Sequence, residues 1–257
     1  MVDQTTHNVL VTGAGRRIGR AIALGLAHDG YAVAVHYRHS RDEAEAVAAE
    51  IIGAGGRAVA LRADLSREDE SKGLIGGAAD ALGPVDCLIN NASVFEDDTA
   101  RDVTRESWDA HMETNLRAPF VLTQALAASL PDDRNGNVVN ILDERVRNLT
   151  PHFISYTLSK AGLWTLTQTL ALALAPRIRV NAVGPGPILP SPRQSQAQFD
   201  RQASIMPLGR GSTPDEICDA VRFILAAPAL TGQMIALDGG QHLGWAQPGL
   251  DSGPMDE

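Results

Sequence analysis

Two side chains one helical turn apart, Tyr156 and Lys160, are the best candidates for chemistry in this sequence. Residues four positions apart lie on one face of an α-helix, so a phenol and an ammonium can meet around one bound group. A free tyrosine has a pKa of about 10, and a nearby lysine cation favours the phenolate. We therefore expect Tyr156 to exchange protons nearer neutral pH, as a general acid does. An ordinary surface pair is the alternative.

A glycine-rich turn, TGAGRRIG at residues 12–19, joins the first predicted strand to the first predicted helix. Free backbone N–H groups and the helix dipole at such a turn favour a pyrophosphate. Turns of this type also occur for geometric reasons alone, so the motif by itself is weak evidence. The residues expected to contact a dinucleotide here are Gly13, Arg16, Arg17, Ile18 and Gly19.

A run of cationic and hydroxyl-bearing residues follows the second predicted strand. NAD-specific sites usually present a carboxylate at this point for the ribose 2′-OH, and this sequence has none. Cationic donors suit the 2′-phosphate of NADPH instead, and Arg16 adds another. A solvated basic loop is the alternative. The run consists of His36, Tyr37, Arg38, His39 and Ser40.

Two further groups of residues follow the third and fourth predicted strands. Asp64 and Leu65 are placed to receive the adenine edge of the cofactor, although Asp64 could equally cap the next helix. Asn91, Ala92 and Ser93 are expected to lie beneath the cofactor.

These motifs fall between strands and helices that alternate along the chain. Short β-branched runs predict strands over residues 7–12, 31–36, 57–62, 85–90, 137–142, 178–183 and 234–237. Helical spacing of apolar residues predicts helices over 17–29, 41–53, 67–82, 107–129, 154–174 and 214–226. The alternation predicts an α/β fold of Rossmann type, a doubly wound, mostly parallel seven-stranded sheet with helices on both faces. Ligands bind beyond the carboxyl ends of such strands, where every motif lies.

The length of 257 residues, with 44% hydrophobic residues, fits one domain over residues 1–257. Residues 187–212 are expected to form a substrate loop, and residues 246–257 a flexible tail. The net charge of −9 disfavours nucleic acid and anionic membranes as partners.

Targeting and redox signals are sparse. Residues 1–8 are polar and lack the pattern of a signal peptide, and no apolar run is long enough to span a bilayer. Cys87 and Cys218 lie far apart in apolar stretches, which predicts buried thiols, no metal site and a reducing, cytoplasmic setting.

Together the motifs resemble the short-chain dehydrogenase/reductase family. They are the glycine turn, Asn90-Asn91-Ala92, Asn115 within TNLRAPF, the Tyr156/Lys160 pair and RVNAVGPG at residues 179–186, in the family's order over nearly the whole chain. The resemblance implies an NADPH-dependent oxidoreductase in which Tyr156 and Lys160 are catalytic and Lys160 holds the nicotinamide ribose.

The same resemblance assigns two further roles. Asn115 would bind a water that links Lys160 to solvent, and backbone around Pro185, Gly186 and Ile188 would hold the carboxamide. The alternative for Asn115 is a side chain that kinks its helix by bonding to its own backbone.

Three departures from the usual family pattern form one set. Asp143 stands where most members have a serine, Arg17 replaces the middle glycine of the turn, and Asn-Asn-Ala is followed by Ser93 and, two places on, Phe95. This set resembles the pteridine reductases and the bacterial dihydromonapterin reductases, which implies a pterin as the small-molecule substrate. Phe95 would stack on its flat ring, and Asp143 would help to deliver a proton. The implied substrate-binding residues are Arg17, Ser93, Phe95, Asp143 and Tyr156.

The sequence also allows other functions. A carbonyl or 3-oxoacyl-type reductase of the same family is one, although an ionised Asp143 cannot donate a hydrogen bond to a developing alkoxide. A non-catalytic NADPH sensor is another, although a sensor has no need of a proton relay. Residue by residue, Asp143 could merely pair with Arg145 or Arg147, Phe95 could be loop packing, and Arg17 could contact only phosphate.

The predicted helix over residues 154–174 carries Leu163, Trp164, Leu166 and Leu170. It resembles the helix that builds four-helix interfaces in family tetramers, which implies a homotetramer. A monomer that buries this face against its own sheet is the alternative.

Overall fold

Seven parallel strands form the centre of the molecule in the computed structural model, which describes residues 7–191 and 193–244. The sheet order is β3-β2-β1-β4-β5-β6-β7. The predicted parallel, doubly wound sheet is confirmed. The strands are β1 (Asn8–Val11), β2 (Ala32–Tyr37), β3 (Ala58–Arg62), β4 (Cys87–Asn90), β5 (Gly136–Ile141), β6 (Ile178–Pro185) and β7 (Met234–Leu237).

Helices cover both faces of the sheet, which explains why β1, β2 and β4 are buried along their whole length. Apolar residues of α1, α2 and α8 pack on one face. Apolar residues of α3, α5 and α6 pack on the other. The helices are α1 (Arg17–His28), α2 (Arg41–Gly53), α3 (Glu68–Leu82), α4 (Arg105–His111), α5 (Ala118–Ser129), α6 (Ile154–Leu174), α7 (Gln196–Ser204) and α8 (Pro214–Ala226).

The helix predicted over residues 107–129 is longer and less regular than expected. It begins at Arg105, after a Thr104 side chain that accepts a hydrogen bond from the Ser107 backbone N–H. A π-helical turn, Met112–Arg117, then separates α4 from α5. Such turns are uncommon and often occur at functional sites, and this one carries Asn115.

The predicted substrate loop, residues 187–212, contains a helix that the sequence pattern did not reveal. Helix α7 starts with a reciprocal capping box between Ser195 and Gln198. It buries none of its residues, so it lacks the apolar periodicity from which the other helices were predicted. The predicted flexible tail, residues 246–257, lies outside the described residues.

Both cysteines are free and buried, as predicted. Within the described part of the chain, no helix is long and apolar enough to cross a membrane.

Candidate active site

A cavity of about 270 Å³ opens beyond the carboxyl ends of the central strands. This volume is near the lower end of the range for small-molecule sites, about 300–1,000 Å³. Its walls come from the glycine turn, from the segments after β4 and β5, from α6 and from the β6–α8 segment, residues 186–213. Predicted site residues in these walls are Arg17, Ile18, Asn91, Ser93, Phe95, Asp143, Tyr156, Lys160, Pro185, Gly186 and Ile188.

The glycine turn is built by close backbone packing. Gly13 has a φ of 63°, and a Cβ on Gly19 would stand 2.3 Å from the Gly13 carbonyl oxygen. The Asn91 amide donates to the carbonyls of Thr12 at 2.8 Å and Gly13 at 3.2 Å. The segment after β4 therefore holds the turn in shape, and larger residues at Gly13 or Gly19 would distort it.

Arg17, at the position of the family's middle glycine, adopts a left-handed backbone with a φ of 52°. A non-glycine residue in this region costs about 1–2 kcal/mol, which the arginine side chain must offset. Its guanidinium donates to the carbonyls of Leu189 at 3.0 Å and Pro190 at 2.9 Å. Arg17 thus fastens the β6–α8 segment to the turn, a contact that the sequence did not predict.

The prediction that His36 is a cationic donor to the cofactor is wrong. Its Nδ1 accepts from the Gly13 backbone N–H at 3.0 Å, and its Nε2 contacts the Ala63 carbonyl at 3.1 Å. Burial lowers the pKa of His36 to about 4, so the ring is neutral at physiological pH. His36 supports the glycine turn from beneath instead of presenting a charge to a phosphate.

Tyr37 also differs from the expected hydroxyl donor to a 2′-phosphate, because it is buried in the core that the sheet shares with α1 and α2. Arg38 and His39 are exposed and Ser40 is half-buried. Arg16 lies beside Glu43 at 3.7 Å. Fewer cationic groups than predicted are therefore exposed after β2.

Asp64 forms an ion pair with Arg38 at 2.9 Å. It also accepts hydrogen bonds from the Ser66 backbone N–H and hydroxyl. Helix α3 begins at Glu68 and its N-cap is Arg67, so Asp64 is not the cap of that helix.

Tyr156 and Asp143 form the central hydrogen bond of the cavity. The Tyr156 phenol donates to Asp143 Oδ2 at 2.8 Å. The other carboxylate oxygen, Oδ1, accepts from the Arg145 backbone N–H at 2.9 Å. Asp143 therefore contacts the Tyr156 phenol as well as Arg145, so the interpretation that it only pairs with an arginine is wrong.

The expected lowering of the Tyr156 pKa is not found. Burial raises the pKa of the phenol well above its usual value, and the Asp143 carboxylate raises it further. The phenol is thus held in its protonated form, the form that a proton donor needs.

Lys160 lies beneath the same cavity with its Nζ 5.8 Å from the centre of the Tyr156 ring. Its ammonium donates to the Ile141 carbonyl at 2.8 Å. Burial lowers the pKa of Lys160 to about 8, while the Asp143 carboxylate opposes that change. The ammonium is therefore predominantly charged at neutral pH.

Asn115 bonds to the segment after β4 and not to its own helix. Its Oδ1 accepts from the Val94 backbone N–H at 2.8 Å and from the Ser93 hydroxyl at 3.2 Å. Its Nδ2 donates to the Val94 carbonyl at 2.9 Å and to Ser159 at 3.1 Å. These four bonds use the full capacity of the side-chain amide, so the predicted water could bind only the backbone of Asn115 and not its side chain.

Phe95 forms one wall of the cavity. Its ring stacks on buried Phe153 with centroids 4.5 Å apart and an interplanar angle of 10°. It meets the Tyr156 ring edge-on at 4.7 Å. Arg193 reaches it from the β6–α8 segment, with its Cζ 5.7 Å from the ring centre. Phe153 is not part of the cavity lining, so it supports Phe95 from behind.

Glu144 is a site residue that sequence reasoning missed. It lines the cavity next to Asp143, its side chain is buried, and its Oε2 has no hydrogen-bond partner among the described residues. Burial raises its pKa to about 8, and Asp143 adds to the shift. Only its adjacency to Asp143 in the sequence could have drawn attention to it.

Arg193 was also missed. It donates to Glu96 Oε2 at 2.6 Å and to the Phe95 carbonyl at 3.0 Å, joining the β6–α8 segment to the segment after β4. No motif marked it, because the link spans 97 positions of sequence. Within the part of the chain that the structure describes, no group of three or more His, Cys, Asp or Glu residues could hold a metal ion.

Comparisons with known proteins agree with this architecture. A family model described as short chain dehydrogenase matches residues 7–201. A 3-oxoacyl-[acyl-carrier-protein] reductase of Synechocystis is 35% identical over 244 residues, which cover 93% of this chain and 98% of the relative.

Solved structures give a second group of similar proteins. The FolM alternative dihydrofolate reductase 1 from Brucella canis, complexed with NADP, is 49% identical with a TM-score of 0.91, covering 95% of this chain and 97% of that chain. A blue fluorescent protein from a metagenomic library, in complex with NADPH, is 33% identical with a TM-score of 0.85, covering 91% and 97%.

Proposed function

The chain belongs to the short-chain dehydrogenase/reductase family, and from this premise we propose that it is an NADPH-dependent pterin reductase. It would transfer hydride to a ring C=N bond and convert a dihydropterin to a tetrahydropterin. The observation that carries the proposal is the hydrogen bond from Tyr156 to Asp143 at the edge of an aromatic-walled cavity.

The Tyr156–Asp143 pair suits a ring nitrogen better than a carbonyl oxygen. An ionised Asp143 accepts hydrogen bonds but donates none, so it would repel a developing alkoxide. A dihydropterin has ring N–H groups that Asp143 can hold, and its C=N nitrogen needs the proton that the Tyr156 phenol carries. Lys160 keeps a positive charge beneath the pair and offsets the Asp143 carboxylate.

The aromatic wall supports the same substrate class. A pterin is flat and heteroaromatic, and Phe95, backed by Phe153, offers a rigid stacking surface beside the proton donor. Ser93 and Arg17 line the cavity, and towards the polar rim of the ring they would use atoms other than those already bonded to Asn115, Leu189 and Pro190.

The residues that would hold the nucleotide fit NADPH. The Gly13–Gly19 turn runs into the N-terminus of α1, where backbone N–H groups and the helix dipole favour a pyrophosphate, and Arg38 with Arg16 gives positive charge where a 2′-phosphate would lie. NADPH, when bound, supplies the hydride. Similar proteins of solved structure were found with NADP or NADPH, which supports this cofactor.

Turnover assays test the proposal directly. Dihydrobiopterin, dihydromonapterin and dihydrofolate are each titrated into the protein while NADPH absorbance is followed, with a panel of ketones and a 3-oxoacyl thioester in parallel. We expect NADPH oxidation with at least one dihydropterin. Ready reduction of a ketone, with no turnover of any dihydropterin, would overturn the proposal.

Variants of Asp143 provide the matched comparison. Asp143→Asn keeps the size of the side chain and removes its charge, whereas Asp143→Ser restores the hydroxyl of most family members. We expect both to lose pterin reduction, and only Asp143→Ser to gain weak carbonyl reduction.

Phe95→Ala should weaken pterin binding by about 1–3 kcal/mol if one stacked face is lost.

A 3-oxoacyl reductase is the second candidate, because curated relatives with that name are 35–36% identical over more than 90% of the chain. The thioester in the assay panel tests it. Asp143 argues against it, since that carboxylate stands where a hydroxyl donor would be needed.

A further inference from the structure

Three polar side chains are buried behind the aromatic wall, outside the cavity lining. His111 and Ser155 have 0% of their surface exposed, and Asp98 has 4%. Polar groups at such depth destabilise a protein unless they are hydrogen-bonded, so their arrangement is specific. The proton donor Tyr156 follows Ser155 directly in the chain, yet the proposed chemistry uses none of the three.

The direction of each hydrogen bond can be assigned. The Glu96 backbone N–H donates to His111 Nε2 at 3.1 Å, so this nitrogen carries no proton. The proton therefore sits on Nδ1, which donates to the Ser155 hydroxyl oxygen at 2.6 Å. The Ser155 hydroxyl in turn donates to the Asp98 carboxylate, which only accepts.

Asp98 also anchors the start of α6. Its Oδ1 accepts from the Ser155 backbone N–H at 3.0 Å, and its Oδ2 accepts from Ser107 at 2.8 Å. Phe153, the residue before the helix, has a φ of 57° and no side-chain cap, so Asp98 supplies the acceptor and the negative charge from another element. Burial alone would raise the pKa of Asp98, but hydrogen bonds from Ser155 and Ser107 lower it.

The network connects the two groups whose mutual placement the reaction needs. At one end, Glu96 directly follows Phe95, the stacking wall. At the other end, Ser155 directly precedes Tyr156, the proton donor. The rings of Phe95 and Tyr156 meet at 4.7 Å and 73°, and the His111 ring lies 5.9 Å from that of Tyr156.

We propose that His111 is a positioning residue that sets the distance and angle between the substrate-stacking ring of Phe95 and the phenol of Tyr156. It acts through its Nε2 on the Phe95 side and through its Nδ1 on the Tyr156 side. The inference rests on the proposed function for the identity of the stacked substrate.

Two substitutions separate the two connections. The amide of an asparagine reaches roughly where Nδ1 lies, so His111→Asn keeps a donor for Ser155 and loses the acceptor for Glu96. A glutamine reaches roughly where Nε2 lies, so His111→Gln keeps the acceptor for Glu96. We expect His111→Asn to raise KM for the dihydropterin about tenfold, equivalent to one lost hydrogen bond of about 1.4 kcal/mol. His111→Gln should restore most of that KM.

The control readouts are the NADPH dissociation constant and the melting temperature of each variant. Both variants should bind NADPH as the wild type does, because His111 is absent from the turn and from the cavity lining. Equal KM values in wild type and both variants would overturn the proposal. So would equal losses in both variants that track their melting temperatures, since a purely structural role predicts that result.

A second measurement needs no substrate. Nitrogen-15 NMR of histidine-labelled protein reports which ring nitrogen of His111 carries the proton. Burial lowers the pKa of His111, while Asp98 and Glu96 raise it and Lys160 lowers it further, so we expect the neutral Nδ1–H tautomer at pH 7. Observation of the Nε2–H tautomer or of a charged ring would refute the network even if pterin reduction is confirmed. If the wild type reduces no dihydropterin but has this tautomer, the proposed function fails while the network stands.

Discussion

At the scale of single residues, the cavity combines two groups whose protonation is set by burial, Tyr156 and Glu144, with the Asp143 carboxylate beside both. Tyr156 is held protonated, Asp143 accepts its hydrogen bond, and Glu144 lies alongside with a pKa of about 8. In the proposed reaction, this arrangement would keep a proton on Tyr156 and leave Asp143 as an acceptor for the N–H groups of a pterin.

Tyr156→Phe tests the proton donor. We expect kcat to fall about 10²–10⁴-fold, the usual contribution of general acid catalysis, since the variant loses only the hydroxyl. The NADPH dissociation constant should change little, because the phenol contacts Asp143 and not the glycine turn. Stopped-flow turnover and fluorescence titration measure the two quantities. Wild-type kcat in the variant would exclude the assigned role.

Glu144→Gln tests the buried carboxyl. Because the folded-state pKa of Glu144 is raised to about 8 from an ordinary value of 4.5, the stability it contributes is present below pH 4.5. That contribution is lost as the pH rises through 8.

Glutamine mimics the protonated acid and does not titrate. Relative to wild type, we therefore expect Glu144→Gln to gain roughly 2–4 kcal/mol of unfolding free energy between pH 4.5 and pH 9. Urea unfolding at several pH values measures this difference. Parallel pH curves for the two proteins would show that Glu144 titrates normally.

At the scale of elements, the turn after β1 and the end of β2 form one unit. His36 at the end of β2 holds Gly13 of the turn, and Asn91 after β4 holds the other side. The exposed Arg38 extends from this unit towards the expected 2′-phosphate and is oriented by Asp64. Cofactor preference should therefore depend on Arg38 and not on His36.

Arg38→Gln should reduce the preference for NADPH over NADH about tenfold or more. A charge-assisted hydrogen bond to the 2′-phosphate contributes ~1.5–3 kcal/mol to NADPH binding. NADH has no 2′-phosphate, so the variant should bind NADH as the wild type does. Arg20→Gln serves as the control, because Arg20 is an exposed arginine of α1 paired with Glu50. The ratio of kcat/KM for the two cofactors measures the effect. A ratio unchanged by Arg38→Gln, or equal kcat/KM in the wild type, would contradict the assignment.

At the scale of the whole molecule, helix α6 buries one of its faces in the protein's own core and exposes another. Leu163 and Leu170, expected at a subunit interface, are buried in the protein's own core, and Leu166 and Trp164 pack partly against it. A different stripe faces outwards, with Leu158 46% and Leu172 84% exposed. The homotetramer remains a proposal, and if α6 forms its interface, as the resemblance implies, this outer stripe would make the contact.

Leu172→Lys should break the assembly if α6 lies at a subunit interface, because a lysine ammonium would be buried against its symmetry mate. Light scattering coupled to size-exclusion chromatography should then report a smaller species than the wild-type tetramer. Ile52→Lys, at an exposed apolar residue of α2, is the control and should leave the mass unchanged. A monomeric wild type would refute the tetramer itself.

Several features of this protein could be predicted from the sequence by itself. The order of strands and helices follows from local apolar patterns, and β1 to β7 lie where those patterns predict them, within a few residues. The glycine turn, Tyr156, Lys160 and the unusual Asp143 were recognisable because spacing along one chain segment determines them. The pterin interpretation arose from such identities and not from any predicted contact.

Only the tertiary structure decided what those residues touch. His36 is neutral because burial in the folded molecule lowers its pKa, and the pKa of Tyr156 is raised by burial and by Asp143, which lies outside the helix of Tyr156. The network of His111 joins positions 44 apart, and Arg193 contacts Glu96 across 97. Burial and charge depend on distances in space, and residues far apart in sequence set those distances. Local sequence patterns therefore predicted the helices, the strands and the candidate residues. The protonation states and hydrogen-bond partners of those residues depend on tertiary contacts, which only the folded structure provides.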